Sequence, residues 1–445
     1  MEASLLFSAL IFVVTYGAII SGKVQRSVAA MVGAVAMVLL GLYYGFYTQS
    51  EVIVHAIDWN TIGLLLGMML LVGVLEDTGL FQALAVWVAK ISRGRYFYLI
   101  MLFGFLTAIA STTIDNVTTL LLVAPISLSI CADLGVDPKP ILLTEALFSN
   151  VGGVATLVGD PPNVMISGAG GFSYLDFISN LAPVVIICVL ASLVAFKFLF
   201  ARKAEEENAK IREKANSQES FLKRRPSEEV KDWGLLKRSV SVLGLVIFLF
   251  VIHHEIGLMP ATVALTGAAT LLLITRPEME RIVGRVKWTT LLFFAGLFVV
   301  VHGVSETGLL NWVASGVTEL TAGSVVLSIL AVLFITAFGS AVIDNIPFTM
   351  AMIPVVTQMS SSLGMESSIL WWALAFGAGF GGNGTYIGSS ANVITVKISE
   401  DYGQPISFTY WLKHGTIIMV ITTVIAGLAL ATQALTPMHI PLLPG

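Results

Sequence analysis

The sequence predicts an all-α integral membrane protein of two inverted repeats. Each repeat has five spanning helices, one re-entrant helical hairpin, and discontinuous helices near the midplane. Three observations carry this prediction: apolar segments of membrane-spanning length, one constant offset that aligns the two halves, and basic residues confined to alternate loops.

Apolar residues make up 56% of the 445 positions and charged residues only 12%, with a mean hydropathy of +0.89, which excludes an ordinary soluble domain. In the first half, apolar stretches run over 5–21, 28–46, 62–75, 96–110, 117–132 and 177–200. In the second they run over 240–252, 258–274, 291–304, 325–338, 350–363, 369–380 and 417–430. Stretches of roughly 15 to 20 residues match a hydrocarbon core about 30 Å thick, where only helices or closed barrels satisfy their backbone. No stretch alternates with period 2, so helices are expected. No cleaved leader is expected, because Glu2 is the first charge and Lys23 and Arg26 follow the apolar run. Cys131 and Cys188 lie inside apolar segments and read as packing residues.

An offset of 229 residues aligns three separate segments without a gap. Trp59, Thr61, Gly67, Val72, Thr78, Gly79 and Leu80 fall on Trp288, Thr290, Gly296, Val301, Thr307, Gly308 and Leu309. The stretch 107–116 (TAIASTTIDN) falls on 336–345 (TAFGSAVIDN), and Pro125 on Pro354. Gly152, Gly153, Thr156, Gly159, Asn163 and Val164 fall on Gly381, Gly382, Thr385, Gly388, Asn392 and Val393. Three matches at one offset point to duplication.

Basic residues then set the topology. Lys23 and Arg26, then Lys90, Arg93 and Arg95, then Lys139, then Arg276, Arg281, Arg285 and Lys287 mark one face. The connector from Arg202 to Arg238 holds 11 of the 24 Lys and Arg, whereas 46–58, 167–178 and 305–323 hold none. An odd number of spans per half inverts the second. The expected division is a first repeat over 1–200, a cytoplasmic, solvated connector over 201–238 and an inverted second repeat over 239–445. Both termini are then outside a cell (inner) membrane.

Ionisable residues deep in apolar sequence are costly and mark function. Ile-Asp-Asn occurs twice, ending in Asp115-Asn116 and Asp344-Asn345, each between apolar helices of roughly 15 residues that suit a hairpin turning near mid-membrane. Each Asp also has the right place to cap the following helix. The second constellation is the glycine-rich run 152–163 (GGVATLVGDPPN) and its mate 381–392 (GGNGTYIGSSAN). Gly152, Gly153, Gly159, Gly381, Gly382 and Gly388, with Pro161 and Pro162, cannot continue a regular helix and expose backbone amides and carbonyls at the break. Broken helices at matching places in two halves point to a transporter site. Asp160 and Glu145 lack acidic mates, since Ser389 and Leu374 stand there. His302 reads as a packing residue, and His253, His254 and Glu255 at a helix end lack a third metal ligand. No phosphate loop, nucleophile elbow or HExxH helix occurs, so no enzymatic activity, metal or cofactor is expected.

The runs 114–119 (IDNVTT), 145–153 (EALFSNVGG) and 159–163 (GDPPN) resemble the ion-transporter superfamily. Within it they are similar to the arsenite-efflux permeases and the related melanosomal P-protein branch, over nearly the whole chain. That branch includes arsenite, silicate and sodium/proton carriers. The resemblance implies inverted repeats with re-entrant hairpins, a scaffold, a moving part, and a site between hairpin tips and broken helices.

Arsenite is mostly As(OH)3 near neutral pH, so a pocket of amides and hydroxyls suits it. The sequence offers Asn116, Asn150, Thr156, Asn163, Asn345, Asn383, Thr385, Ser389, Ser390 and Asn392. Thiolate capture would need about three clustered cysteines. Asp115 and Asp344 are the expected coupling carboxylates, with Glu145 and Asp160 next, for efflux of arsenite or antimonite against entering protons. Partners are then membrane lipid, the solute, and H+ or Na+, with no nucleic acid. A homodimer and a peripheral ATPase subunit are arrangements the sequence leaves open. The same carboxylates suit a sodium/proton antiporter. A carboxylate or other anion carrier lacks an evident Arg or Lys at this site. A channel-like pump subunit is the reading from another class, and saturable, gradient-dependent flux separates carrier from channel.

Overall fold

The computed structural model describes residues 2–213, 225–321, 323–362 and 368–435. Each half contributes nine helices of ten residues or more among the described residues. In the first half these are α1 (Glu2–Ser21), α2 (Arg26–Tyr44), α3 (Trp59–Glu76), α4 (Leu80–Ile91), α5 (Tyr96–Ser111), α6 (Asn116–Leu134), α7 (Lys139–Gly153), α8 (Pro161–Gly170) and α9 (Tyr174–Glu213). In the second they are α10 (Trp233–Ile252), α11 (Pro260–Thr275), α12 (Trp288–Glu306), α13 (Leu309–Leu320), α14 (Val325–Val342), α15 (Asn345–Ser362), α16 (Ile369–Gly381), α17 (Ser390–Asp401) and α18 (Phe408–Leu435). The order matches element for element, α1 with α10 through α9 with α18. Nine helices among the described residues are long and apolar enough to cross a membrane. Large apolar side chains such as Val13, Val35, Leu39, Phe198, Leu273, Phe338 and Leu428 lie exposed on the outside of the bundle, as a lipid-facing surface requires.

The halves pack through equivalent contacts. α2 lies on α12, and its counterpart α11 lies on α3. A Cβ at Gly67 would sit 2.7 Å from the carbonyl carbon of Ala264, and one at Gly296 would sit 2.8 Å from that of Ala30. Small residues at these crossings let the backbones touch, which is how helices associate in lipid. α1, α2, α3, α10, α11 and α12 thus form one group of helices, and the hairpins, broken helices, α9 and α18 form another.

Three features differ from the expectation. The hairpin helices are longer than 15 residues, with 16 and 19 in α5 and α6 and 18 in each of α14 and α15, because the helices continue past their apolar stretches, α14 to Val342 and α15 from Asn345 at the tip. α4 and α13, of 12 residues each, are too short to span and carry one apolar stripe, so they suit the membrane interface. The expected linker is ordered at both ends, while 214–224 lies outside the described residues. α9 continues to Glu213, tied down where Lys203 pairs with Asp137 at 3.1 Å, the Asp137 amide donates to Glu207 at 3.2 Å, and the Tyr96 amide donates to Asn208 at 2.9 Å. Beyond the gap, the Lys231 amide donates to the Thr78 carbonyl at 2.9 Å.

Candidate functional site

The site is built where the two hairpin tips meet the two helix breaks. α5 and α6 turn at 112–115, and Asp115 caps α6 by accepting from the Thr118 amide at 2.9 Å. α14 and α15 turn at Ile343 and Asp344, and Asp344 accepts from the Ile346 amide at 3.2 Å. Each tip lies against glycine. A Cβ at Gly152 would stand 2.2 Å from the Ala108 carbonyl oxygen, and one at Gly381 2.3 Å from that of Ala337. Gly159 and Gly388 take the same close approach to the Ser111 and Ser340 carbonyls, and Gly153 and Gly382 lie against Gly159 and Gly388 themselves.

Four of the expected binding residues hold the breaks together. Thr156 donates to the Thr112 carbonyl at 2.5 Å, and Thr385 to the Ala341 carbonyl at 2.5 Å. The Asn163 amide group donates to the carbonyls of Gly153, Val154 and Thr156 at 3.3, 3.1 and 2.8 Å. That of Asn392 donates to Gly382 and Thr385 at 2.7 and 3.1 Å. These bonds satisfy carbonyls that the broken helices leave without a partner in a dry interior. Asn163→Ala and Asn392→Ala should each lower stability by about 1–3 kcal/mol, because they strand buried carbonyls. A thermal midpoint in detergent that does not move for either variant would contradict this role.

The tips themselves converge on Asp160. Asn116 donates to Asp160 Oδ1 at 3.3 Å and to Asn150 Oδ1 at 3.1 Å. Asn345, from the other hairpin, donates to Asp160 Oδ2 at 3.2 Å, and its backbone amide donates to the Gly388 carbonyl at 3.0 Å. Asn150 links both breaks, donating to Asn383 and Asn392 at 2.9 Å each, and it accepts from Ser389 at 3.0 Å. Asp160 is 1% exposed, and both of its carboxylate oxygens accept from tip asparagines. Its counterpart Ser389 donates instead of accepting, so one place in the repeat does two different things.

Asp115 and Asp344 are not free carboxylates. Lys287, at the start of α12, stands 3.2 Å from Asp115 and donates to Thr118 at 2.6 Å. Arg26, at the start of α2, stands 2.5 Å from Asp344 and donates to Ser390 at 2.9 Å. Ser390 itself donates to Asp344 at 2.6 Å. Both pairs bridge the two helix groups. They overturn the expectation that no Arg or Lys is at hand. Both cations belong to the loops that marked topology, and their sequence position does not distinguish them from Lys23 or Lys90.

A cavity of about 310 Å³ opens beside the tips, lined by Asp115, Asn116, Asp160, Lys287, Asn345, Ser389 and Ser390, together with Thr289, Thr290 and apolar side chains. A neighbouring space of about 300 Å³ shares Thr289, Thr290 and Ser390 and adds Arg26. Asn150, Asn383, Asn163, Asn392, Thr156 and Thr385 lie behind this wall. Glu145 is fully buried in α7 and is not among the residues that line the cavity. His253 closes the α10–α11 connection through Leu258 at 2.9 Å and joins it to the start of α9 by accepting from the Tyr174 amide at 3.3 Å.

A chamber lined by polar and paired charged side chains, enclosed by hairpin tips and broken helices inside an apolar helical bundle, defines a membrane transporter. The chain belongs to the citrate transporter (CitMHS) family, whose model matches residues 16–377. It is 39% identical over 427 residues to a 46 kDa membrane protein of Mycobacterium leprae, covering 94% of this chain and 96% of that one. It is 31% identical over 498 residues to the human P protein, covering 95% of this chain and 59% of that longer protein. Among solved structures, the YdaH transporter of Alcanivorax borkumensis has the same fold, with a TM-score of 0.59 at 14% identity over 96% of this chain and 98% of that one.

Proposed function

We propose that this chain is a proton-coupled secondary transporter that exports a small uncharged oxyacid, with arsenous acid as the type solute. The carrying observation is charge. Lys287 and Arg26 already balance Asp115 and Asp344, which leaves Asp160 as the one uncompensated carboxylate on the cavity wall. Such a chamber attracts a cation and resists an anion. Asn116, Asn345, Ser389, Ser390, Thr289 and Thr290 offer donors and acceptors to a hydroxyl-bearing neutral solute. Cys131 and Cys188 are buried on separate helices, which speaks against thiolate capture. In this reading the basic-loop face is cytoplasmic, the termini are outside, and the cavity beside Arg26 and Lys287 is open to the inside.

A second reading, a cation-coupled carboxylate carrier, is favoured by Arg26 and Lys287 on the cavity wall and by the family's description as citrate transporters. Counterflow in proteoliposomes decides between them, with arsenite, antimonite, citrate and Na+, each with and without a pH gradient. Saturable arsenite flux driven by acid on the outer face is the expected result. Citrate flux driven by Na+, with no arsenite flux, would replace the first reading by the second.

A further inference from the structure

At one of two pairs of equivalent scaffold positions the two faces of the protein carry opposite charges, and at the other only one face is charged. Lys287 precedes α12, and its counterpart at the 229-residue offset is Asp58, which precedes α3. Asp58 accepts from the Asn60 and Thr61 amides at 3.0 and 3.1 Å and from the Thr61 hydroxyl. Arg26 also has a counterpart. The equivalent crossings of Ala30 and Ala264 place Pro260 at its position, so no cation stands there.

The hairpins meet these positions in different registers. On the basic-loop face Lys287 reaches Asp115 and Thr118 at the tip of α6 and shares a cavity with Leu121. On the other face Asp58 shares a cavity of about 240 Å³ with Met350, Ile353 and Pro354 of α15. Met350 and Pro354 are the counterparts of Leu121 and Pro125. Asp58 therefore faces its hairpin helix about five residues farther from the tip than Lys287 does, which at 1.5 Å per residue is roughly 8 Å along the axis. In a carrier with inverted repeats, the opposite-facing state exchanges the arrangements of the two halves. That exchange brings the Asp344 tip to Asp58 and takes Asp115 and Asp344 away from Lys287 and Arg26.

We propose that Asp58 and Asp344 pair in the opposite-facing state to form a monovalent-cation site, and that the Arg26–Asp344 and Lys287–Asp115 ion pairs dismantle it on return. The scaffold thus supplies fixed cations on one face and requires mobile ones on the other. This rests on the secondary-transporter reading proposed above and adds where the coupling ion is taken up and what displaces it. The chemistry is that of H+ or Na+ between two carboxylates.

The first test uses paired cysteines in a Cys131→Ala, Cys188→Ala background, in membranes, bridged with Hg2+. Asp115→Cys with Lys287→Cys reports the arrangement described here. Asp58→Cys with Asp344→Cys is expected to cross-link as well, through the other state. Cross-linking of the first pair without the second overturns the proposal. The second test keeps Asp344 intact. Val393→Cys lines the cavity beside Arg26 and is labelled by an impermeant maleimide from the basic-loop face. Cation should slow this labelling about tenfold by filling the opposite-facing state. Asp58→Asn should slow it without cation and abolish the response. An unchanged response in Asp58→Asn overturns the proposal.

Na+ at fixed pH, and acid without Na+, distinguish the two ions. His302 shares the Asp58 cavity, with Glu306, His55 and Glu51 close by, so the acid arm is repeated in His302→Gln. Neither readout needs a transported solute. Failure of arsenite flux therefore leaves both results standing.

Discussion

Asp160→Asn is expected, on the cation-coupled reading proposed above, to lower gradient-driven transport roughly 100-fold, because losing a charged ligand of the coupling cation would cost about 3 kcal/mol and each 1.4 kcal/mol is a factor of ten. Asn keeps the shape and can still accept from one of the two tip asparagines that now meet on Asp160. The variant should therefore reach the membrane folded, with a modest fall in thermal stability. Asp115→Asn and Asp344→Asn should behave differently. Each leaves Lys287 or Arg26 without its carboxylate at the boundary between the helix groups. Lys287 and Arg26 are 22 and 32% exposed, so the loss falls short of the about 3–5 kcal/mol that an unpaired, fully buried charge costs. These two variants should lose stability as well as transport. Gradient-driven flux and thermal unfolding on the same preparations separate the two patterns. Wild-type coupled flux in Asp160→Asn would remove this residue from the mechanism.

Gly152→Val and Gly381→Val are the second large effect, and they act on assembly. A Cβ at either position falls within 2.3 Å of a carbonyl oxygen on the facing hairpin helix. The obstacle is backbone, so no rotamer change relieves it, and the hairpin has to move away from the break. Overpacking a dense core costs about 1–3 kcal/mol and more where backbone shifts. Here the same shift pulls the tip asparagines off Asp160, so both variants should yield little monodisperse protein in detergent. Gly17→Ala and Gly244→Ala are the controls, since a Cβ at either meets nothing within 4 Å. In helix interiors these controls should be neutral or stabilising by roughly 0.5–1 kcal/mol. Normal yield from Gly152→Val would show that the tip and the break are less tightly coupled than their contact distance implies.

Much of this architecture is legible in the residues because it is local or repeated. Asn116 and Asn345 stand out as polar residues in apolar surroundings, and the glycine runs stand out as places where one helix ends and the next begins. Their coincidence at one offset places both in a shared site. The amphipathic helices α4 and α13 were harder to see, since twelve residues with one apolar stripe look like a connection between spans. The division of labour among asparagines was harder still. Asn163 and Asn392 satisfy backbone carbonyls, whereas Asn116 and Asn345 reach a carboxylate. All four read alike in a list of polar residues near glycine.

The sequence by itself determined the class of protein, the paired halves, the hairpin tips and the helix breaks. Each follows from hydropathy, backbone propensity or internal repetition, which act over short stretches. Only the tertiary structure decided where the charges are balanced. Arg26 meets Asp344 across 318 residues and Lys287 meets Asp115 across 172. An ion pair forms where chain paths cross, and a loop cation that orients the protein in its membrane is chemically the same as one that neutralises its site. Packing alone separates them, and it leaves Asp160, unpaired in the repeat, as the uncompensated carboxylate between the two tips.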